Sequence, residues 1–221
     1  MRQKIAFILL SGALALMLAS AKTAQAVETE GVGNQVSFRG GWAGLTSGRG
    51  GEVFTDVFGN SGVRNDSTSG YYVGGALDLL LSHDVWGMLQ HTWALGEIGV
   101  EYKQWNSNVT ALQAAPALLG QVQRGVNLTM LTVDIAPKLK FLEGSALRPW
   151  IIPVGLDFHV ISPPSNTTSY LDVGVQFGAG VEYRLYKAFV VGLDGRFHLA
   201  AGQTNTTNNF GTVGGYVGIS F

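Results

Sequence analysis

The sequence predicts an all-β chain, an up-and-down antiparallel transmembrane β-barrel of about eight strands that follows a cleaved secretory leader. Three observations carry that prediction. The first 26 residues have the layout of an export signal, the segments after it alternate apolar and polar residues with a period of two, and the last strand, Gly211 to Phe221, alternates strictly and ends flush on an aromatic.

The leader comes first. Arg2 and Lys4 supply a positive start, Ile5 to Leu18 an apolar run, and Ala24-Gln25-Ala26 a small-x-small cleavage site. Ser11 and Lys22-Thr23 cut the apolar run too short for a membrane anchor. The expected division is therefore residues 1–26 as signal peptide and 27–221 as one barrel domain. The chain has no Cys, which excludes a lipid-anchored lipoprotein and a disulfide scaffold. Cleavage takes Arg2, Lys4 and Lys22 from the 14 Lys and Arg while all 15 Asp and Glu stay, so the mature chain is acidic by about four charges. Nucleic acid is excluded as a partner on that balance. After the leader no stretch reaches helical span length, so any crossing of a membrane must be made by strands.

The strands follow in order. Gln35 to Leu45 (with Val36, Phe38 and Trp42), Tyr71 to Leu81 (with Val73, Leu77, Leu79 and Leu81 against Asp78) and Leu95 to Trp105 (Ile98, Val100 and Tyr102 against Glu97, Gly99 and Glu101) form the first half. Leu131 to Phe141 sets Leu131, Val133, Ile135, Pro137, Leu139 and Phe141 against Thr132, Asp134, Ala136, Lys138 and Lys140. Trp150, Ile152, Val154, Leu156, Phe158 and Val160 oppose Ile151, Pro153, Gly155, Asp157 and His159. Pro137 and Pro153 each remove a ladder donor and demand an irregular or rim position. Leu171 to Leu185 and Phe189 to Ala200 are the most regular pair, joined by Tyr186-Lys187-Ala188, with Asp172, Glu182, Arg184, Asp194, Arg196 and His198 on their polar faces. In the last strand Phe221, Ile219, Val217 and Val213 share the lipid face, Tyr216 and Ser220 the other, and closure is expected against Gln35 to Leu45.

The connections alternate in length. Thr46 to Gly70, Asn106 to Gly125, Ser162 to Ser169 and Gly202 to Asn209 are long and polar, whereas Leu142 to Leu147 and Tyr186 to Ala188 are short. That is the asymmetry of external loops and periplasmic turns. Two segments resist assignment. Ser82 to Ala94, with Trp86, Met88, His91 and Trp93, reads as an inward extension of the third strand or a short interfacial helix; Val109 to Gln123 holds helix formers around a helix-breaking Pro116. Val53 to Phe58 reads as a short hairpin arm within the largest loop.

Periodicity alone fits a soluble lipocalin-like barrel equally well. The leader and the terminal Phe221 favour the lipid-facing version, as do aromatics near strand ends that form two girdles: Trp42, Tyr71, Trp105, Trp150, Tyr183, Phe189, Phe210 and Phe221. The motifs Leu-Arg-Pro-Trp at 147–150, Gly-Ala-Gly-Val-Glu-Tyr-Arg-Leu at 178–185, Gly-Leu-Asp-Gly-Arg-Phe-His at 192–198 and the closing Gly-Tyr-Val-Gly-Ile-Ser-Phe resemble the OmpA/OmpX-like outer-membrane β-barrel proteins, most strongly over 147–221. The resemblance implies a bacterial outer-membrane location, contact with lipid and lipopolysaccharide, and delivery by the barrel-assembly machinery through Phe221. OmpA itself continues into a peptidoglycan-binding domain, a role not carried over here.

With polar faces inward, the lumen collects Asp78, Glu97, Glu101, Asp134, Lys138, Lys140, Asp157, His159, Asp172, Glu182, Arg184, Asp194, Arg196, His198 and Tyr216. Eight strands leave room for little beyond these side chains. Unpaired charge in such a bore is costly, so acids and bases are expected to pair. Arg184 and Arg196, facing Glu182, Asp194 and Asp172, are the expected centre.

Catalysis is not expected. The lipid A deacylases of this size carry a His-x-Ser pair; the analogue here is His198-Leu199-Ala200, and Ala200 removes the nucleophile. No metal or other cofactor is expected either, because His83, His91, His159 and His198 are scattered without ligand spacing, and Gly48-Arg-Gly-Gly51 lacks the residues of a phosphate cradle. The expected role is structural and surface-interacting, through loops that meet an unidentified extracellular ligand. A narrow channel for small solutes or ions is the alternative, ahead of a lipid-modifying enzyme or a soluble binding barrel. A closed sheet leaves no edge, so a monomer suffices.

Overall fold

The computed structural model describes residues 33–47, 68–113, 122–162, 171–202 and 208–221, and only the backbone at 106–113, 122–128 and 162. The expected leader and the Val53 to Phe58 arm lie outside these residues. Eight strands run in sequence: β1 Gln35–Leu45, β2 Ser69–Ser82, β3 Trp93–Gln113, β4 Val122–Lys140, β5 Leu147–Ser162, β6 Leu171–Tyr186, β7 Phe189–Ala200 and β8 Phe210–Ser220. Each pairs antiparallel with the next and β8 returns to β1, closing the barrel. The seam runs from Gln35↔Ser220 to Leu45↔Phe210. Asn34 and Phe221 extend it by exchanging backbone hydrogen bonds of 3.1 and 2.9 Å.

The alternation in sequence becomes an inversion of the usual protein. Phe38, Leu193, Val213, Val217 and Phe221 lie on the outside at 58–68 % exposure, while Glu97, Glu101, Asp134, Asp157 and His198 are fully buried inside. A soluble barrel of this periodicity would place those faces the other way round. An exterior this apolar over a charged interior has a bilayer as its solvent. From Val213 to Phe221 the outward face of β8 spans roughly 26 Å of strand at about 3.3 Å per residue, which a tilt of about 40° reduces to about 20 Å, most of the roughly 25 Å height of an outer-membrane apolar band.

Trp42 and Tyr71 mark the outer girdle. The Trp42 indole donates to Ser69 Oγ (2.7 Å) and the Tyr71 hydroxyl to Gln104 Oε1 (2.9 Å), so each ring has an apolar body in lipid and a satisfied polar tip. Tyr183, Tyr186, Phe189 and Phe221 are exposed at the opposite end. The girdle expectation fails for Trp105, Trp150 and Phe210, which are buried inside the barrel. Trp105 and Phe210 share the parity of the lumen-facing Glu101 and Thr212, and closeness to a strand end said nothing about side.

Trp150 is inside for another reason. The β4–β5 ladder breaks between Ile135 and Leu139, and the β5–β6 ladder between Ile152 and Gly155. Both prolines fall in this one gap, where neither amide is needed. The extra residue on β5 is a bulge, and a one-residue slip exchanges the faces of a strand. Trp150 and Ile152 therefore point into the lumen below the bulge, whereas Val154, Leu156 and Val160 point outward above it.

Two further expectations are corrected. Asn106 to Gly125 is not simply a loop: after a break at Trp105, pairing resumes from Val109↔Val126 to Gln113↔Val122, so β3 and β4 continue as a long hairpin. The β-branched Val109, Thr110, Val122 and Val126 suit that ladder, and pairing outweighs the weak helix preference of Ala111 and Leu112. Between Ser82, which ends β2, and Trp93, which opens β3, the chain forms turns rather than a helix, with Val85, Trp86, Gly87 and His91 at positive φ, so the strand gains only Trp93 and Ala94. Hydrogen bonds from the Gly87 amide and the Ser82 hydroxyl hold Asp84 in that turn below the ordinary carboxylate range.

Candidate functional site: the charged lumen

The lumen is built from the inward positions of all eight strands. Near its middle Arg39 of β1 reaches across the bore to β3 and β4, pairing with Glu97 (2.9 Å), Glu101 (2.7 Å) and Asp134 (3.1 Å). Arg196 of β7 meets the same carboxylate from the other side, donating to both Glu97 oxygens (2.6 and 3.3 Å) and to Asp194 (3.1 Å). Lys138 then bridges Glu97 (2.9 Å) and Asp78 (2.8 Å). Glu97 is thus the junction of three cations. Gly99 makes the crossing possible, since a Cβ there would meet the Asp134 carboxylate and the Arg39 guanidinium.

Towards the short turns, Lys140 holds both oxygens of Glu182 (3.1 Å each) and Gln35 (3.0 Å). The Trp150 indole donates to the Tyr216 hydroxyl (2.9 Å), which donates on to Glu182 (3.3 Å). Lys138 lies 4.4 Å over the Trp150 ring, and Arg148 3.8 Å over Trp93. Such stacking lets large aromatics share a bore with buried cations.

Towards the long loops the chemistry changes. Asp157 and His159 project from β5 and His198 from β7; the His198 Nδ1 lies 2.7 Å from Asp157 Oδ2, and His159 Nδ1 lies 3.0 Å from Thr132 Oγ1. Phe210 stacks on His198 at 4.2 Å between ring centres, with Trp105 edge-on to it. Lys103 joins Glu101 (2.6 Å) to Thr132 (2.9 Å), and Asn208 donates to Asp172 (2.9 Å).

Of the residues singled out in the sequence, Asp157, His159, Asp172, Glu182, Asp194, Arg196 and His198 are all buried in the lumen. They do not form one cluster. Glu182 belongs to the inner end, Asp194 and Arg196 to the middle, and Asp157, His159, Asp172 and His198 to the outer end. Arg184 is not the centre: it lies half-buried near the end of β6, opposite Val190. The central position is held instead by Arg39, whose place opposite Val36 and Phe38 in the alternation of β1 was the available signal. Lys103 was likewise legible only by parity, whereas Arg148 shares the even parity of Val154 and Leu156 and is turned inward only by the bulge in β5.

What the arrangement does chemically is neutralise and fill. Carboxylates and cations alternate through space with the bulk of Trp93, Trp105, Trp150, Tyr72 and Tyr216 between them, all with little or no exposure. A stepwise register of charge across β1, β3, β4 and β7 also fixes which strands lie opposite one another.

No protein-family model matches the chain, and no curated protein matches its sequence. Solved structures resemble it in fold. The outer-membrane protein OprG from Pseudomonas aeruginosa is 12 % identical, with a TM-score of 0.50 over 86 % of this chain and 97 % of its own. Neisserial surface protein A is 13 % identical, with a TM-score of 0.49 over 87 % of this chain and 100 % of its own. The outer-membrane enzyme PagL is 14 % identical, with a TM-score of 0.47 over 85 % of this chain and 99 % of its own. Closed, eight-stranded and apolar on the outside, the chain has the fold of the small outer-membrane β-barrels.

Proposed function

We propose that this barrel is a plugged scaffold that displays surface-interacting elements, rather than a conduit or an enzyme. The observation that carries the reading is the lumen: from Lys140 and Glu182 at one end to Asp157 and His198 at the other, buried side chains bond one another across the bore. A wall this strongly cross-linked resists opening, which moves function to the outer segments. Among the described residues the β3–β4 hairpin is the most prominent of these, with pairing past Trp105 to Gln113↔Val122. The pairing that resumes from Val109↔Val126 to Gln113↔Val122 supports it as an arm on which a partner can dock. Lipid and lipopolysaccharide are the proposed neighbours of the apolar belt, and Phe221 the proposed recognition point for the assembly machinery.

The non-enzymatic reading is supported by Ala200 beside His198 and by the burial of His198 in the lumen, away from the lipid face. Excision of residues 107–127, with a two-residue turn in their place, tests the display role. The shortened chain is expected to insert and to keep heat-modifiable migration on gels, while cells expressing it lose adherence to an epithelial monolayer. Equal adherence of the two forms, or none above barrel-free cells for either, overturns the reading.

A further inference from the structure

We propose that Asp157, His159 and His198 bind one divalent transition-metal cation of the zinc class at the outer end of the lumen. The donor set is the first ground. Two imidazoles and a carboxylate suit Zn²⁺ and its first-row neighbours, whereas Ca²⁺ and Mg²⁺ require oxygen shells. One donor atom from each of the three residues can be chosen so that all lie within 4.8 Å of one another. In a tetrahedral zinc site donors stand about 3.4 Å apart, so side-chain rotations of roughly an ångström complete the convergence.

The fold brings these residues together across an intervening strand. Asp157 and His159 are two apart on β5 and share its inner face, while His198 comes from β7 beyond β6. The β6 residue paired with Asp157 is Gly174, itself opposite Ala200. A Cβ at Gly174 would run into the β7 backbone at Leu199 and Ala200, so close approach of the two strands requires glycine here.

Two atoms at the site have bonding capacity to spare. Among the described residues Asp157 Oδ1 and His198 Nε2 have no hydrogen-bond partner, in residues with no exposed surface. A buried polar atom left this way costs about 1–3 kcal/mol, and a cation beside Asp157 takes up its free carboxylate oxygen. Charge agrees. Among the described buried side chains there are eight carboxylates and six Lys and Arg. Among the described residues Asp157 forms ion pairs only with imidazoles, at 2.7 Å for His198 and 3.8 Å for His159, and it faces Asp134 across the β4–β5 ladder. A divalent cation offsets the negative charge that Asp157 and Asp134 bring together here. Around it, the Thr132 hydroxyl orients His159 and the Phe210 ring holds His198, as supporting groups do in metal sites. Three protein donors leave a fourth position for water. The bound cation staples β5 to β7 at the mouth of the barrel.

The test uses tag-free full-length chain, refolded in detergent after chelator treatment, with Co²⁺ as the optical probe and Zn²⁺ as competitor. The chain has four histidines. In a His83→Ala/His91→Ala chain, which removes the two in the exposed β2–β3 turn, only the lumen pair remains. That protein is expected to take up one Co²⁺ at micromolar metal, with four-coordinate visible bands bleached by an equivalent of Zn²⁺, and imidazole nitrogens in the zinc X-ray absorption spectrum. Adding His198→Gln is expected to weaken uptake at least tenfold among molecules that retain heat-modifiable migration. No stoichiometric uptake by the His83→Ala/His91→Ala chain, or a zinc spectrum without imidazole nitrogens, overturns the proposal. If the His198→Gln chain does not fold, these two readings on the folded double variant decide.

Discussion

At the level of single residues the molecule turns on Glu97, a carboxylate with no exposed surface on which Arg39, Arg196 and Lys138 converge. Desolvation makes each of these charges expensive alone, and the geometry makes them affordable only together. Glu97→Gln leaves three cations without their shared anion and is expected to cost about 3–5 kcal/mol, measured by reversible urea unfolding in lipid vesicles. Arg184→Gln, near the end of β6, is expected to cost less than a third of that in the same assay. A smaller loss at Glu97 than at Arg184 contradicts the assignment of the centre. Individual lumen residues were legible in the sequence because a polar residue opposite an apolar one has a single place to go in a barrel. Their partners were not. Arg39 stands 58 positions from Glu97 and 95 from Asp134, and pairing across a bore depends on strand stagger, which leaves no mark on either strand alone.

At the level of elements the bulge in β5 decides which side chains see lipid. Pro153 needs an unpaired position, and Pro137 on β4 meets it in the same interruption. The register below the bulge is pinned by the Trp150–Tyr216 hydrogen bond and above it by Asp157 with His198. Single cysteines report this directly in a chain that has none of its own. Val154→Cys and Leu156→Cys are expected to react with a lipid-soluble maleimide in folded protein, and Ile152→Cys to be protected; reaction at Ile152 with protection at Val154 contradicts the bulge. Strand existence was readable throughout β6, β7 and β8, where alternation is unbroken. It misled in β5, because period-two counting carries on through an extra residue that reverses every face after it. The β3–β4 hairpin was missed for a different reason: its local preferences are mixed, and the partner strand rather than the segment settles its form.

At the level of the whole molecule the barrel inverts a soluble protein, with aliphatics and aromatics turned to lipid and, among the described residues, six buried Lys and Arg with eight buried carboxylates inside. The alternation in the sequence supplied two faces, and closure of β8 on β1 assigned them to lipid and lumen. Fold and solvent follow from that pattern, while function does not, because the same barrel serves any loops grafted on it. The most direct test of a plugged, ion-paired lumen is single-channel recording of the purified, refolded chain in planar lipid bilayers, at low and high salt. Insertion without a steady conductance is the expected result, with brief openings appearing only once Glu97→Gln has broken the central junction. A stable, porin-sized open state in the unmodified chain contradicts the account.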